Sequence, residues 1–443
     1  MLEIGKGVSQ AISILKSSGY EAYLVGGCVR DMLMGIKAHD YDITTSASPF
    51  EMKQVFKDYR TIETGIKHGT LTVIIDGEIL EITTYRIDGE YKDNRHPESV
   101  TFSRNLKDDL LRRDFTINAL VYNESEGVID LFDGEKDIKN KIIRAVGDAE
   151  KRFTEDALRI LRGIRFSSTL GFEIEENTKK AMKKCAHLLH NIAGERINVE
   201  IEKFLLGKNV KNAILENYEI LGELIPEIKR MYKFDQKCKY HIYDVLEHTA
   251  VACAYIPPIP YLRLAALLHD TGKVHTFFTD DRGVGHFYGH GEKSVEIARE
   301  YLNKYKYDNF TKEKVISLVK LHDIYTEEDK ILVKKRLNRI GKEVFFDLLK
   351  LQKADNMAQN LNVVDVSHID RLEKIALEIV NEECFDRSSL KINGSDLIRE
   401  GFEKGVTIGF VLDRLLDEVI EEKLPNEKLE LLKRAKEIKN DCI

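Results

Sequence analysis

The sequence predicts an α+β protein in which a small α/β head precedes a long α-helical remainder. In residues 1–150, short runs such as "EAYLVGG" and "GTLTVIID" alternate with turns rich in Gly, Asn and Asp, a pattern that indicates strands. From "RFTEDALRILRGIRF" onward the strand signals nearly vanish, and apolar residues recur at helical spacing. Strands followed by helices are typical of the α+β class.

The elements of the head follow one another along the chain. "VSQAISILKSSG" predicts an amphipathic helix that ends at Gly19. Strands are then expected at "EAYLVGG", "HDYDITT", "GTLTVIID" and "EILEITTYR". The polar, turn-rich stretch "RIDGEYKDNRHPESVTF" predicts a mobile surface loop.

Composition and charge exclude several classes of protein. The chain has 443 residues, 43% hydrophobic and 32% charged, which is ordinary for a soluble protein of about two to four domains. Its six cysteines are scattered without a Cys-x-x-Cys pair, so we expect a reducing compartment and neither a disulfide framework nor a zinc ribbon. No signal-peptide pattern or membrane-spanning apolar run is present, which predicts a cytoplasmic protein with no membrane contact. The net charge of −7 argues weakly against nucleic acid, although local basic patches decide such binding.

Two acidic residues in "HDYDI" are the first candidates for a site. Asp40 and Asp42 are two residues apart, so on a strand they point to the same face. Like charges there repel each other, and carboxylates are ligands that Mg²⁺ prefers. A solvated strand face explains the pair equally well.

Further residues around this pair favour a phosphate-binding site. Gly26 and Gly27 lie between a strand and the helix start "CVRDMLMG", where glycines allow close backbone approach to a phosphate. Glu81 on a later strand is a third candidate acid, although an ordinary exposed strand residue is the alternative. The stretch "DLLRRDFTINAL" supplies a set able to grip a triphosphate: Arg112, Arg113, Asp114 and Asn118.

Six motifs in order over residues 1–225 resemble the bacterial (class II) tRNA nucleotidyltransferases, that is, CCA-adding enzymes and their relatives the bacterial poly(A) polymerases. They are "GGCVRD", "DYD", "TTYRIDGEYKDNRHP", "RRDFTINAL", "DLFDGEKDIKNKIIRAVG" and "RFTEDALRILRGIRF". The resemblance implies a DNA polymerase beta-like nucleotidyltransferase head, tRNA, CTP and ATP as partners, and two Mg²⁺ ions held by Asp40 and Asp42. Glu81 becomes the third catalytic carboxylate. The implied nucleotide-binding residues are Gly26, Gly27, Arg30, Arg112, Arg113, Asp114, Asn118, Asp156, Arg159 and Arg162.

The stretch "EDALRILRGIRF" predicts a helix that could choose the base. Asp156 and Arg159 are three residues apart, so both can present to one site, and an i,i+3 ion pair is the simpler interpretation. Cytosine and adenine each offer an amino donor beside an acceptor, whereas uracil and guanine reverse that order. A carboxylate next to a guanidinium therefore pairs with C and A and rejects U and G. The resemblance implies the same role for this pair.

A series of histidines and aspartates in the helical part points to a second metal site. Residues 240–360 resemble the HD phosphohydrolase superfamily, around "YLRLAALLHDTGKVH". The resemblance implies one or two divalent metals, Mn²⁺, Ni²⁺, Fe²⁺, Zn²⁺ or Mg²⁺, and a cyclic phosphate or phosphomonoester on RNA ends as substrate. Lys273 could hold the phosphate, and His286 could replace His290. The implied ligands are His248, His269, Asp270 and Asp355, with His290 and His322 as an additional pair.

We therefore expect four domains: a nucleotidyltransferase head (1–150), a helical neck that selects the nucleotide and binds RNA (151–225), an HD domain (240–360) and a tRNA-binding tail (385–443). Three functions remain open. The first is CCA addition to tRNA with an attached phosphohydrolase, which the complete C-terminal tail favours over the second, while the full-length loop favours any enzyme able to add the terminal A. The second is poly(A) synthesis, or addition of only the terminal A. The third is an HD hydrolase whose head merely binds RNA, which the intact acid pair disfavours.

Overall fold

The computed structural model describes residues 2–38, 40–89 and 99–441, and these form two compact units. The first unit comprises Met1–Lys229 with Lys304–Lys306, and the second comprises Arg230–Asn303 with Tyr307–Ile443. A mixed sheet lies in the first unit and the rest is largely helical, so the predicted α+β class is confirmed. No helix within the described ranges is long and apolar enough to cross a membrane.

A seven-stranded mixed sheet forms the centre of the head. The strands before residue 140 are β1 Ala22–Val25, β2 Asp42–Thr45, β3 Arg60–Ile62, β4 Thr70–Ile75, β5 Glu78–Thr84, β6 Arg86–Asp88, β7 Val100–Phe102, β8 Leu120–Asn123 and β9 Gly127–Asp130. The sheet order is β3-β4-β5-β2-β1-β8-β9, with β2 and β5 parallel and the other neighbours antiparallel. The four predicted strands are β1, β2, β4 and β5, whereas β3, β8 and β9 were not predicted.

The helices of the head pack around this sheet. They are α1 Lys6–Ser17, α2 Gly27–Leu33, α3 Pro49–Val55, α4 Leu106–Leu111 and α5 Gly134–Asn140. The predicted first helix is α1, and Gly19 follows its end at φ +87°, a conformation that glycine adopts without steric cost. The predicted mobile loop falls largely on residues 90–98, outside the described residues, and its flanks pair as β6 and β7.

Strand β1 is buried on both faces, which explains its uninterrupted apolar sequence. Leu24 packs into one hydrophobic cluster together with Leu15 of α1, and Tyr23 and Val25 point into a second cluster on the opposite face. Because β1 and β2 are antiparallel, the end of β1 lies beside the start of β2 at one edge of the sheet. That edge positions the candidate site.

The remainder of the chain is helical apart from short two-residue strands. Up to residue 231 it contains α6 Ala149–Glu155, α7 Leu158–Leu170, α8 Glu176–Cys185, α9 Gly194–Leu205, α10 Val210–Glu216, α11 Tyr218–Leu224 and α12 Pro226–Met231, with β10 Ile142–Ile143 beside β11 Glu173–Ile174. Beyond it lie α13 Val245–Tyr255, α14 Pro260–Leu268, α15 Lys273–Thr276, β12 Phe278–Thr279, β13 Gly285–His286, α16 His290–Lys304, α17 Asn309–Leu321, α18 Lys330–Ile340, α19 Lys342–Met357, α20 Ser367–Glu382, α21 Gly394–Arg399, α22 Val406–Ile420 and α23 Lys428–Asp441.

The helix predicted at "EDALRILRGIRF" is confirmed as α7, but the first three residues of the motif lie outside it. Helix α6 ends at Glu155 and α7 begins at Leu158, because the backbone of Asp156 is extended, at φ −137° and ψ 101°. The Asp156 carboxylate accepts a hydrogen bond from the backbone N–H of Leu158 at 3.1 Å. Such local capping competes with helix continuation, which is why Asp favours helix ends.

Candidate functional site

Three carboxylates line a cavity of about 1370 Å³ at the edge where β1 ends and β2 begins. Asp42 is the first residue of β2 and lies opposite Glu81 in the parallel pairing with β5. Asp40 lines the same cavity but precedes the first paired residue of the strand, so the prediction that both aspartates lie on the strand was wrong for Asp40. The position of Asp40 therefore depends on the bend that precedes β2, and the alternation of side chains along the strand does not determine it.

The three acids affect one another electrostatically. Burial raises the pKa of Asp42, the Arg113 guanidinium acts in the opposite direction, and the neighbouring Glu81 and Asp40 carboxylates add to the rise. Hard oxygen ligands that repel one another suit Mg²⁺, which takes carboxylates together with water and substrate phosphates. The donor set at this edge therefore fits the ion that the sequence implies.

The glycine turn lies next to Arg113, the cation that acts on Asp42. Gly26 adopts φ +85°, and a Cβ atom there would come within 3.3 Å of the Nη1 atom of Arg113. A side chain at this position would therefore be strained and would crowd the guanidinium. Gly27 begins helix α2, and its neighbourhood includes the Arg30 guanidinium, 3.6 Å from an added Cβ.

A buried polar network connects this turn to helix α7. Arg30 donates to the side-chain oxygen Oδ1 of Asn118 at 2.7 Å. The side-chain nitrogen Nδ2 of Asn118 donates in turn to Asp114 at 3.1 Å. Asp114 also accepts from Arg162 Nε at 2.7 Å. Burial acts to raise the pKa of Asp114, but Arg162 and Asn118 outweigh it and hold the pKa at about 2. Four residues predicted to bind the nucleotide are thus connected directly.

Phe166 and Asp109 are two residues of this region that the sequence analysis missed. The Phe166 ring lies under the guanidinium groups of Arg30 and Arg162, at 5.1 and 5.5 Å from its centroid. Asp109 is fully buried and accepts from Arg112 at 2.6 Å and from Arg113 at 3.1 Å. The i,i+3 and i,i+4 spacing in "KDDLLRRD" is the signal that could have found Asp109.

Asp156 and Arg159 have separate partners, so the i,i+3 ion pair of the simpler interpretation is not formed. Asp156 Oδ2 lies 3.1 Å from Arg196 Nη2. Arg159 pairs with Glu155 at 3.0 Å and donates to the backbone carbonyl of Arg112 at 2.8 Å. Arg196 was not predicted because its contact depends on how α9 packs, whereas Glu155 was missed although its i,i+4 spacing to Arg159 is visible in the sequence.

Four lysines of helix α8, in the predicted RNA-binding neck, each have an acidic partner. Lys179 lies 3.7 Å from Glu216, Lys180 lies 3.5 Å from Glu176, and Lys184 lies 2.7 Å from Glu150. Lys183 pairs with Glu219. Contact of these lysines with RNA phosphates stays a prediction, and it would have to compete with these pairs.

In the second unit the predicted histidines and aspartates converge. Two groups have ligand atoms that all lie within 4.8 Å of one another, and Asp270 belongs to both. The first group is His248, His269, Asp270 and Asp355, and the second is Asp270, His290 and His322. The open choice between His286 and His290 has a geometric answer: His286 bonds to Asp280 at 3.1 Å, whereas His290 Nε2 lies 3.1 Å from His322 Nε2.

Backbone carbonyls orient each of the four clustered histidines. The Nδ1 atoms lie at hydrogen-bond distance from carbonyl oxygens, 3.1 Å for His248, 2.7 Å for His269 and His322, and 2.9 Å for His290. Because a carbonyl can only accept, Nδ1 must carry the proton and the Nε2 lone pair is left for a ligand role. This arrangement is typical of histidines that bind metal.

Buried polar atoms at the centre of the cluster lack hydrogen-bond partners within the described residues. They are Nε2 of His248 and Nε2 of His269, and carboxylate oxygens lie 2.8–3.5 Å from the two nitrogens without hydrogen-bond alignment. Buried groups of this kind are normally satisfied. Imidazole and carboxylate together suit Mn²⁺, Ni²⁺, Fe²⁺ or Zn²⁺, so the residues fit a divalent metal.

Lys273 lies at the edge of this cluster, buried and paired. Its Nζ is 2.6 Å from Asp270 Oδ2 and donates to Gln236 at 2.9 Å. A phosphate would have to share this ammonium with Asp270. The predicted phosphate contact stays a prediction.

Three family models match the chain. They are "Poly A polymerase head domain" over residues 22–144, "Probable RNA and SrmB- binding site of polymerase A" over 171–232 and "tRNA nucleotidyltransferase domain 2 putative" over 291–435. Together they span most of both compact units.

Similar proteins cover almost the whole chain. The CCA-adding enzyme of Oceanobacillus iheyensis is 36% identical over 425 residues, which are 95% of this chain and 94% of that protein. The CCA-adding enzyme of Streptococcus agalactiae is 36% identical over 428 residues, 96% of this chain and 94% of that protein. Among solved structures, the Bacillus stearothermophilus CCA-adding enzyme in complex with CTP matches with a TM-score of 0.73 and 28% identity, over 98% of each chain.

Proposed function

The chain belongs to the family of CCA-adding enzymes, and we propose that it adds C, C and A in turn to the 3′ end of tRNA, using CTP and ATP. The observation that carries this proposal is the cavity shared by Asp40, Asp42 and Glu81, with Arg113, which lies beside Gly26, acting electrostatically on Asp42. Relatives that match along nearly the full length support it.

In this proposal Asp40 and Asp42 hold Mg²⁺, and Glu81 completes the acidic set. The 3′ oxygen of the RNA forms a bond to the α-phosphorus, the bond from that phosphorus to the bridging oxygen breaks, and pyrophosphate leaves. Bound Mg²⁺ supplies a lowered pKa for the attacking hydroxyl and charge neutralisation for the leaving group. Arg113, next to Gly26, lies where it could attract the triphosphate.

Base choice would be made by Asp156 and Arg159. The carboxylate of Asp156 is one-fifth exposed and can accept from an amino group of C or A. The Arg159 side chain is only 10% exposed and engaged with Glu155, so we propose that nucleotide binding exchanges that contact for the base. An induced change of this kind would let the correct base complete the site.

A poly(A) polymerase, or an enzyme that adds only A, is the second candidate, because the head matches a model described as a poly A polymerase head. These functions are separated by incubating the protein with CTP, ATP and a tRNA that lacks its 3′ CCA. The 3′ ends of the products are then sequenced. Ends that terminate at CCA support the proposal. Long A tracts, or A added only after a supplied CC, would overturn it.

We further propose that the histidine–aspartate cluster is a divalent-metal phosphohydrolase site acting on phosphate esters at RNA ends. The convergence of His Nε2 atoms and carboxylates around Asp270 carries this proposal. A divalent ion held there supplies an activated water and polarises the phosphate. Phosphate release from 2′-AMP and hydrolytic ring opening of 2′,3′-cyclic AMP to a monoester, each measured with Mg²⁺, Mn²⁺ and Ni²⁺, test it. Absence of both reactions with all three ions would refute it.

A further inference from the structure

Two rings of a compact aromatic cluster line a cavity that opens onto the histidine–aspartate cluster. The cavity has a volume of about 440 Å³ and is lined by Asp270, Lys273 and His290, and also by His286 and Tyr288. The volume falls within the range of small-molecule sites, about 300–1,000 Å³.

Three rings form this aromatic patch, which we define as Phe278, His286 and Tyr288. Their centroids are 5.3 Å apart for Phe278 and His286, 5.5 Å for His286 and Tyr288, and 5.6 Å for Phe278 and Tyr288. The two pairs that include His286 are nearly parallel, with interplanar angles of 28° and 21°. The three rings therefore pack against one another as one group.

The hairpin of β12 and β13 brings these rings together. Phe278 is directly opposite His286 in the antiparallel pair, and Tyr288, in the turn that follows β13, contacts both rings. Asp280 accepts from His286 Nε2 at 3.1 Å and so fixes that ring. The patch is thus built by the hairpin and held in place.

The patch is exposed in a way that folding alone does not explain. Tyr288 is 75% exposed and Phe278 is 45% exposed. Large aromatic rings normally contribute by being buried, and exposed ones beside a site mark binding surfaces. Every nucleobase has a π face that can stack on such a ring, whatever its sequence.

We propose that the aromatic patch stacks the nucleobase of a phosphate ester whose phosphate lies at the histidine–aspartate cluster, so that the substrates of this site are nucleotides or RNA 3′ ends rather than simple phosphate esters. This inference rests on the proposed phosphohydrolase function. With 2′-AMP, water oxygen forms a bond to phosphorus, the bond from phosphorus to the ribose oxygen breaks, and a proton from water goes to that oxygen. Adenosine and inorganic phosphate are the products.

The test compares 2′-AMP with glycerol 2-phosphate, a phosphomonoester of a secondary alcohol that carries no base. Tyr288→Ala should raise KM for 2′-AMP by between about 5-fold and about 100-fold, the range that base–aromatic stacking spans. It should leave kcat for 2′-AMP, and both constants for glycerol 2-phosphate, unchanged. Tyr288→Phe, which retains the ring, should resemble the wild type.

Tyr255→Ala is the matched control, since Tyr255 is 55% exposed in the same unit and does not line this cavity. Calorimetric titration of each variant with 2′-AMP, without added metal, gives a readout independent of turnover. Equal effects of Tyr288→Ala on the two substrates, or no effect on either, would overturn the stacking proposal. If the wild type hydrolyses neither substrate, the phosphohydrolase proposal fails, and an unchanged Kd for 2′-AMP in Tyr288→Ala would then refute the patch as well.

Discussion

Replacing Asp114 with Asn should destabilise the first compact unit, because this carboxylate holds the buried network together. Its oxygens accept from Arg162 at 2.7 Å, from Asn118 at 3.1 Å and from the backbone N–H of Phe115 at 2.8 Å. Asp114 is only 7% exposed, so solvent screens these contacts little. The amide of Asn would lose the charge and place a donor against the Arg162 guanidinium.

The expected magnitude follows from the pKa of Asp114. The drop from 3.8 to about 2 corresponds to roughly 2–3 kcal/mol of stability at neutral pH, at about 1.4 kcal/mol per pKa unit. Because the folded pKa is depressed, this stability is present above the unfolded pKa of 3.8 and is lost as the pH falls toward 2. The difference in free energy of unfolding between Asp114→Asn and wild type should therefore fall to about half of its neutral-pH value near pH 3.

Hydrogen exchange of peptides from residues 105–170, at pH 7 and with increasing urea, measures this local loss. Glu176→Gln is the control, since its ion pair with Lys180 is 3.5 Å long and both side chains are about 70% exposed. An exposed pair of this kind contributes about 0–1 kcal/mol. The reasoning is refuted if these peptides are as well protected from hydrogen exchange in the Asp114→Asn variant as in the Glu176→Gln variant.

Three further outcomes test the two sites. Asp42→Ala should abolish addition of CMP and AMP, since loss of a metal-holding carboxylate removes several kcal/mol of transition-state stabilisation, while phosphate release at the second site persists; near-normal incorporation would contradict this. Asp270→Ala should leave nucleotide addition unchanged and should reduce the amount of bound metal, as measured by elemental analysis of the dialysed protein. An unchanged metal content would contradict metal binding at the histidine–aspartate cluster. Arg159→Ala and Asp156→Ala should let UTP and GTP compete with CTP and ATP, since bidentate base contacts are worth about 1–3 kcal/mol of discrimination. Relative kcat/KM for the four nucleotides measures this, and equal losses for C and A with U and G still excluded would make the pair structural.

Both the class of fold and the chemistry of the sites could be predicted from local patterns. Strands such as β1 and β4 carry enough apolar and β-branched residues to be recognised, and a spacing of two or three residues limits which side chains can meet. The edge strand β3 was missed because its residues Arg60–Ile62 are mostly exposed and carry no alternation of buried positions. Pairing with β4 forms that strand, and such pairing is not encoded within three residues.

The amino-acid sequence by itself determined the kinds of ligand atoms present, the order of the motifs and the α+β class. Only the tertiary structure decided the partners: Arg196 rather than Arg159 beside Asp156, a buried Asp109 between two arginines, and His290 rather than His286 in the histidine–aspartate cluster. The physical reason is that spacing restricts contacts within one helix or strand, whereas contacts between elements depend on packing. The backbone carbonyls that orient the Nε2 atoms of the four histidines are available only after that packing is complete.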